Sequence, residues 1–177
     1  NQESKRFVVD VVVDERTMRE IYLPAFEHAL CALDKKCVPK LVMGAYNKVN
    51  GVHCRQNKYL SGSRRRDEWK YDGVVVSDWG AVLDRKASIK AGMDLEMPGT
   101  PSGGAFDNEV LEECQSERTA IAQSTENDEE QPMVTPGSRA NSNSELEIAI
   151  DACANRVVQL ITDLQSPSDD PELVSSV

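Results

Sequence analysis

The chain has only two histidines, no Cys-x-x-Cys pair, no N-x-[ST] sequon and no run near the roughly 18 consecutive apolar residues of a membrane span. These absences narrow the function classes. The five cysteines, Cys31, Cys37, Cys54, Cys114 and Cys153, are odd in number and lack His-flanked spacing, which argues against a zinc-type centre. His28 falls in a helical pattern and His53 in a turn, and neither has a ligand partner close in sequence. No motif asks for a metal or a cofactor, and without a sequon glycosylation gives no hint of compartment. Basic residues are scarce after residue 106: residues 1–106 hold 17 Lys+Arg against 14 Asp+Glu, and residues 107–177 hold 3 against 16. So acidic a tract argues against nucleic acid as a partner and reads as a solvated region. The first residues, NQESKRF, contain no signal-peptide core. At 177 residues the chain can bury a proper core, yet it is shorter than the about 250 residues of a complete large α/β barrel.

What is present alternates between strand and helix signals. Phe7 to Val13, FVVDVVV, is β-branched and reads as a short strand or an extended arm. Asp14 sits at an N-cap position before ERTMREIYLPAFEHALCAL, whose apolar residues recur every three or four positions. Pro24 inside that helix predicts a kink, because proline removes one backbone donor. KLVMGAYN, Lys40 to Asn47, is a second strand, with a turn signal at Asn50-Gly51. A helix over Asn57 to Trp69 is weakened by Ser61-Gly62-Ser63. Then come the strand Val74 to Ser77, a helix from about Val82 to Ala91 closed by Gly92, and the apolar piece Met93 to Pro98. EVLEECQSERTAIAQ reads as helical, residues 124–144 as a disordered acidic insertion, ELEIAIDACANRVVQLITDL as a final helix, and residues 166–177 as a flexible tail. The expected fold class is α/β with a parallel sheet, residues 1–106 forming one unit and residues 107–165 the helices flanking the insertion.

Chemistry in parallel α/β folds gathers at the carboxyl ends of strands. Three such ends carry distinctive groups: Tyr46-Asn47, Asp78-Trp79, and Asp94 with Glu96. A carboxylate beside an aromatic face suits sugar chemistry, since the ring covers apolar sugar surface while the ionised acid stabilises or traps an oxocarbenium-like centre. Residue pattern alone leaves a second reading open, and favours it: Asp78 as the cap of the following helix.

The blocks NQESKR, VDERTMREIYLPAFEHAL, YNKVNGVHCRQNKYL, RDEWKYDGVVVSDWGAV and KAGMDLEMPG, over roughly residues 1–100, resemble the later part of the N-terminal barrel of glycoside hydrolase family 3, the β-glucosidase type. The resemblance implies the C-terminal portion of an incomplete (β/α)8 TIM-type barrel, in a parent that removes terminal β-linked sugars with retention and without a cofactor. It implies Asp78 as nucleophile, Trp79 and Met43 as walls of the sugar pocket, and Tyr46 as donor to the nucleophile. Partners would be an oligosaccharide or β-glucoside, with no nucleic acid and no membrane. The acid/base would come from a sandwich domain that this chain lacks, Glu96 or Asp94 being the weaker candidates within it. The family's sugar-gripping Lys-His pair would lie upstream of Asn1, and Arg6 would pair with Glu3 or a neighbouring loop. Members of the family are often exported. The alternative is a non-catalytic, truncated carbohydrate- or protein-binding module.

Overall fold

The computed structural model describes residues 3–32, 37–99, 105–126 and 144–165. In chain order, the strands are β1 (Asp10–Val11), β2 (Leu41–Gly44), β3 (Lys48–Val49), β4 (Val52–His53) and β5 (Val74–Ser77). The helices are α1 (Glu15–Thr17), α2 (Pro24–Leu30), α3 (Arg85–Lys90), α4 (Ala105–Glu126) and α5 (Glu145–Gln165), with wide π-type turns over Met18–Tyr22 and Tyr59–Glu68.

β2 and β5 pair in parallel, in the register Leu41↔Val74 to Gly44↔Ser77. The segment after Gly92 runs along the other side of β5, bridging Val76 to Leu95. Ser77 N–H donates to the Leu95 carbonyl at 2.9 Å, and Gly80 N–H to that of Met97 at 2.8 Å. This layer is the parallel sheet expected from the alternating pattern.

The arm at residues 7–13 behaves differently. Only Asp10–Val11 is strand, and it pairs with β3 in a separate sheet rather than with β2. The reason is the turn at Asn50-Gly51, where both residues have positive φ, 50° and 85°, as a tight β3–β4 hairpin requires. The Asn50 side chain accepts from Val13 N–H at 2.9 Å and donates to the Val13 carbonyl at 2.8 Å, while Gly51 N–H donates to Asp10 Oδ1 at 3.0 Å. The hairpin thereby captures the arm.

Asp14 caps α1, accepting from Thr17 N–H at 2.8 Å. Pro24 has no N–H to offer the carbonyl one turn back, and the helix opens just before it: Leu23 N–H reaches five residues back to the Met18 carbonyl at 2.8 Å. The helix after β5 begins at Arg85, later than the pattern suggests, because Asp84 is its cap and accepts from Ala87 N–H at 2.9 Å. Gly92, at φ 92°, ends it as expected. Ser144 and Glu147 form a reciprocal capping box at the start of α5, each side chain bonding the other's backbone N–H at 3.1 Å. Of the span read as an insertion, residues 124–126 belong to α4 and Ser144 to this cap; residues 127–143 and the tail 166–177 lie outside the described residues.

Two apolar clusters hold the layers. Leu30, Trp69 and Tyr71 pack with Leu23, Val38 and Val42 against one face of the sheet. Val110, Cys114 and Leu146 join α4 to α5, with Ile89 of α3 at their edge. Between these clusters lies a polar knot around Asp94, whose side chain is wholly buried. Its carboxylate accepts from Arg66 at 2.7 Å, from Arg156 at 2.7 Å and from Val75 N–H at 2.7 Å. Arg66 also bonds the carbonyls of Tyr71 and Gly73, at 2.8 and 2.7 Å, where the chain enters β5.

Removing one member of a buried charge cluster leaves the others uncompensated, so Asp94→Asn is expected to cost about 3–5 kcal/mol, a large part of a typical domain's stability. Urea unfolding followed by circular dichroism measures this; an unshifted midpoint would contradict the role given to Asp94. Thiol reactivity supplies a second check. Cys31 and Cys37 are exposed, whereas Cys114 and Cys153 are buried. Burial raises both buried thiols, and burial with the Asp94 charge pushes Cys153 up to about 11. Iodoacetamide at mild alkaline pH should alkylate Cys31 and Cys37 first and Cys114 and Cys153 only after denaturation, as read by peptide mass mapping.

Candidate functional site

Because β2 and β5 are parallel neighbours, their carboxyl ends emerge side by side, bringing Tyr46 beside Asp78 and Trp79 across 32 residues of chain or more. The backbone of Trp79 links the two. Its N–H donates to Asp78 Oδ1 at 2.7 Å, and its carbonyl accepts from the Tyr46 hydroxyl at 2.7 Å. The Tyr46 hydroxyl thus meets the Trp79 carbonyl as well as the Asp78 carboxylate. Asp78 still acts on the phenol: burial first, then hydrogen bonding and charge from Asp78, raise the Tyr46 pKa. The Trp79 ring is 66% exposed, leaving its face open beside the carboxylate. Asp78 does not cap α3, a role that belongs to Asp84.

Three further side chains wall the cluster. Phe7 meets the Tyr46 ring edge-on, with centroids 4.5 Å apart. Arg6 lies 5.4 Å from the same ring and forms the expected ion pair with Glu3 at 2.5 Å. Arg55, 3% exposed, lies 5.8 Å from the ring centroid and donates to the Ala45 carbonyl. Sequence reading missed Arg55, because an arginine within HCRQN reads as a surface residue. The available clue was Gly44 in β2, where a Cβ would stand 3.1 Å from Arg55 Cγ.

Met43 stands apart from this cluster. It is 64% exposed and lines a largely apolar groove of about 260 Å³ along β2, which none of Tyr46, Asp78 and Trp79 lines. Asp94 is bound to its two arginines, and Glu96 accepts from Arg85 Nε at 2.6 Å. Both line a different cavity, between α3 and α5, that includes none of Tyr46, Asp78 and Trp79. Among the described residues, no cluster of His, Cys, Asp and Glu could hold a metal ion, and no helix is long and apolar enough to cross a membrane.

The coupling of Tyr46 to Asp78 has a signed consequence. A negative neighbour opposes phenolate formation, so Asp78→Asn should lower the Tyr46 titration midpoint toward that of an ordinary tyrosine. Carbon-13 NMR of the labelled phenol carbon, assigned with Tyr46→Phe, reads the midpoint directly; an unchanged value would show that the two groups are not coupled.

Comparison with known proteins gives this constellation a context. The profile of the glycosyl hydrolase family 3 N terminal domain matches residues 2–126. The thermostable beta-glucosidase B of Acetivibrio thermocellus is 51% identical over 116 residues, covering 66% of this chain and 15% of that protein. The crystal structure of the Bifidobacterium adolescentis GH3 beta-glucosidase superposes with a TM-score of 0.65 at 33% identity, covering 95% of this chain and 20% of that one. Beta-glucosidase 3B from Thermotoga neapolitana, in complex with alpha-D-glucose, gives a TM-score of 0.62 at 31% identity over 89% of this chain and 19% of that one. This chain thus spans about a fifth or less of the length of these relatives. Its mixed α/β fold is that of their matching regions, and the chain belongs to glycosyl hydrolase family 3.

Proposed function

We propose that the chain is the later part of the barrel of a retaining, exo-acting β-glycosidase of β-glucosidase type, with Asp78 as its nucleophile. The observation that carries this reading is the junction of two strand ends through the Trp79 backbone, which sets a carboxylate, a phenol and an open indole face together. The match to beta-glucosidases, one of them holding alpha-D-glucose, supports a glucose-like sugar at that point.

An incomplete barrel is supported by the sheet itself. One face of β2 and β5 is covered by the cluster around Val42, while Met43, Val76 and Leu95 form a row across the other face, with Met43 exposed. The edge of β2 away from β5 has no strand partner among the described residues, and the apolar groove runs beside it. A barrel strand from an upstream segment would fit that edge, its side chains meeting the exposed row. In the same proposal, residues 1–106 are the barrel portion and residues 107–165 the helices beside it.

In this scheme the Asp78 carboxylate attacks the anomeric carbon as the glycosidic bond breaks, and the leaving oxygen takes a proton from a general acid. A covalent glycosyl-aspartate results. Water then attacks that carbon, losing its proton to the same group, now a base, and Asp78 departs as carboxylate. Trp79 supplies a face for the apolar side of the sugar, Met43 walls the pocket from β2, and Tyr46, by holding the Trp79 carbonyl, steadies the residue whose N–H bonds Asp78. The acid/base comes from outside the chain, since Asp94 and Glu96 are committed to arginines. A sandwich domain of the parent would provide it.

Treating the full-length parent with an activated 2-deoxy-2-fluoro-β-glucoside should label the peptide bearing Asp78, and Asp78→Asn should lower turnover by roughly a thousandfold or more. Labelling of another side chain in mass spectra would remove Asp78 from the role.

A further inference from the structure

We propose that Arg55 is a positioning residue of the Tyr46–Asp78 site: its buried guanidinium, held on the Ala45 carbonyl in the space left by Gly44, orients Tyr46 and places a positive charge beside its ring. The inference rests on the glycosidase reading and extends it to a residue outside the strand ends.

A buried guanidinium is costly unless its charge and donors are met. Arg55 is 3% exposed, and among the described residues no carboxylate lies within ion-pair distance of it. Its Nε has no hydrogen-bond partner there. What it does have points to one place. Nη1 bonds the carbonyl of Ala45, the residue before Tyr46, and the guanidinium carbon lies 5.8 Å from the Tyr46 ring centroid. His53 Nδ1, 3.1 Å from the Tyr46 carbonyl, fixes the same stretch from β4. Burial dominates the lowering of the Arg55 pKa, and Asp78 is among the charges that oppose it, with Cys54 and Tyr46.

The chain has shaped itself around this side chain. At Gly44 a methyl group would stand 3.1 Å from Arg55 Cγ and 3.7 Å from the Val76 carbonyl, so the glycine leaves the corridor by which the arginine passes β2. The other cation near the ring, Arg6, is 39% exposed at its side chain and paired with Glu3, so solvent and a carboxylate both weaken its field. Arg55 lacks both screens, and the phenol pKa is lowered by Arg6 first and by Arg55 after it. A cation behind a phenol favours phenolate, opposing Asp78.

The test uses the 177-residue chain with labelled tyrosine, comparing the Tyr46 titration midpoint in wild type, Arg55→Gln and Arg55→Lys. Gln keeps a donor for the Ala45 carbonyl and removes the charge; Lys keeps the charge. The proposal expects an upward shift of the midpoint in Arg55→Gln and a value near wild type in Arg55→Lys. Equal midpoints in all three folded proteins would overturn it. If Arg55→Gln loses its circular dichroism signal, Arg55→Lys decides: a wild-type midpoint supports the proposal, and a raised one overturns it. Labelling of the parent reports on the glycosidase reading separately. A label on Asp78 with an unresponsive Tyr46 removes Arg55 alone, whereas a responsive Tyr46 with the label elsewhere supports its hold on Tyr46 and removes the glycosidase reading.

Discussion

One buried carboxylate, Asp94, fixes the relation between three parts of the chain that are far apart in sequence. Arg66 reaches it from the wide-turned segment before β5, Val75 from within β5, and Arg156 from the last helix. Two cations and one anion in a closed interior are unstable unless each finds its partners, and that demand selects a single arrangement of the elements that carry them. Arg66 extends the constraint by gripping the carbonyls of Tyr71 and Gly73 as β5 begins. Asp78 stands at the other end of the same four-residue strand. The position of Asp78 thus depends on charges placed at the strand's base.

A second theme is the use of the uneven charge. The acidic second part of the chain reads as a solvated tract, yet several of its carboxylates are spent on the basic first part. Lys86 pairs with Glu113, Lys90 with Glu117, and Lys58 with Glu145. Glu117 also accepts from the N–H of Leu146, so one carboxylate ties α3 and α4 to the start of α5. The exposed Lys58–Glu145 pair contributes little singly, whereas Lys90 and Glu117 are largely covered. Together they set which face of each helix meets its neighbour, while Leu146 and Val110 provide the apolar burial between them.

The candidate site follows from the same geometry. Parallel pairing places two chain exits together, and the backbone N–H and carbonyl of one residue, Trp79, bond Asp78 and Tyr46 respectively. Hydrogen bonds on both groups restrict the rotamers open to Asp78 and Tyr46. Phe7, at the start of the captured arm, and Arg6 before it pack on the Tyr46 ring.

The local features were legible in the sequence because each depends on neighbouring residues only. Asp14 as a cap, the break around Pro24, the turn at Asn50-Gly51 and the stop at Gly92 follow from backbone chemistry within a few positions. The ordered motifs around Tyr46 and Asp78-Trp79 identified the family for the same reason, since the strand ends carry them as contiguous text. Tertiary structure alone decided the rest. It assigned the cap of α3 to Asp84 rather than Asp78, turned the arm toward the hairpin instead of β2, gave the Tyr46 hydroxyl the Trp79 carbonyl as an acceptor, and buried Arg55 and Asp94 among distant partners. Those outcomes depend on which groups a charge or a donor meets across dozens of residues, and a side chain's letter carries its chemistry but not its neighbours.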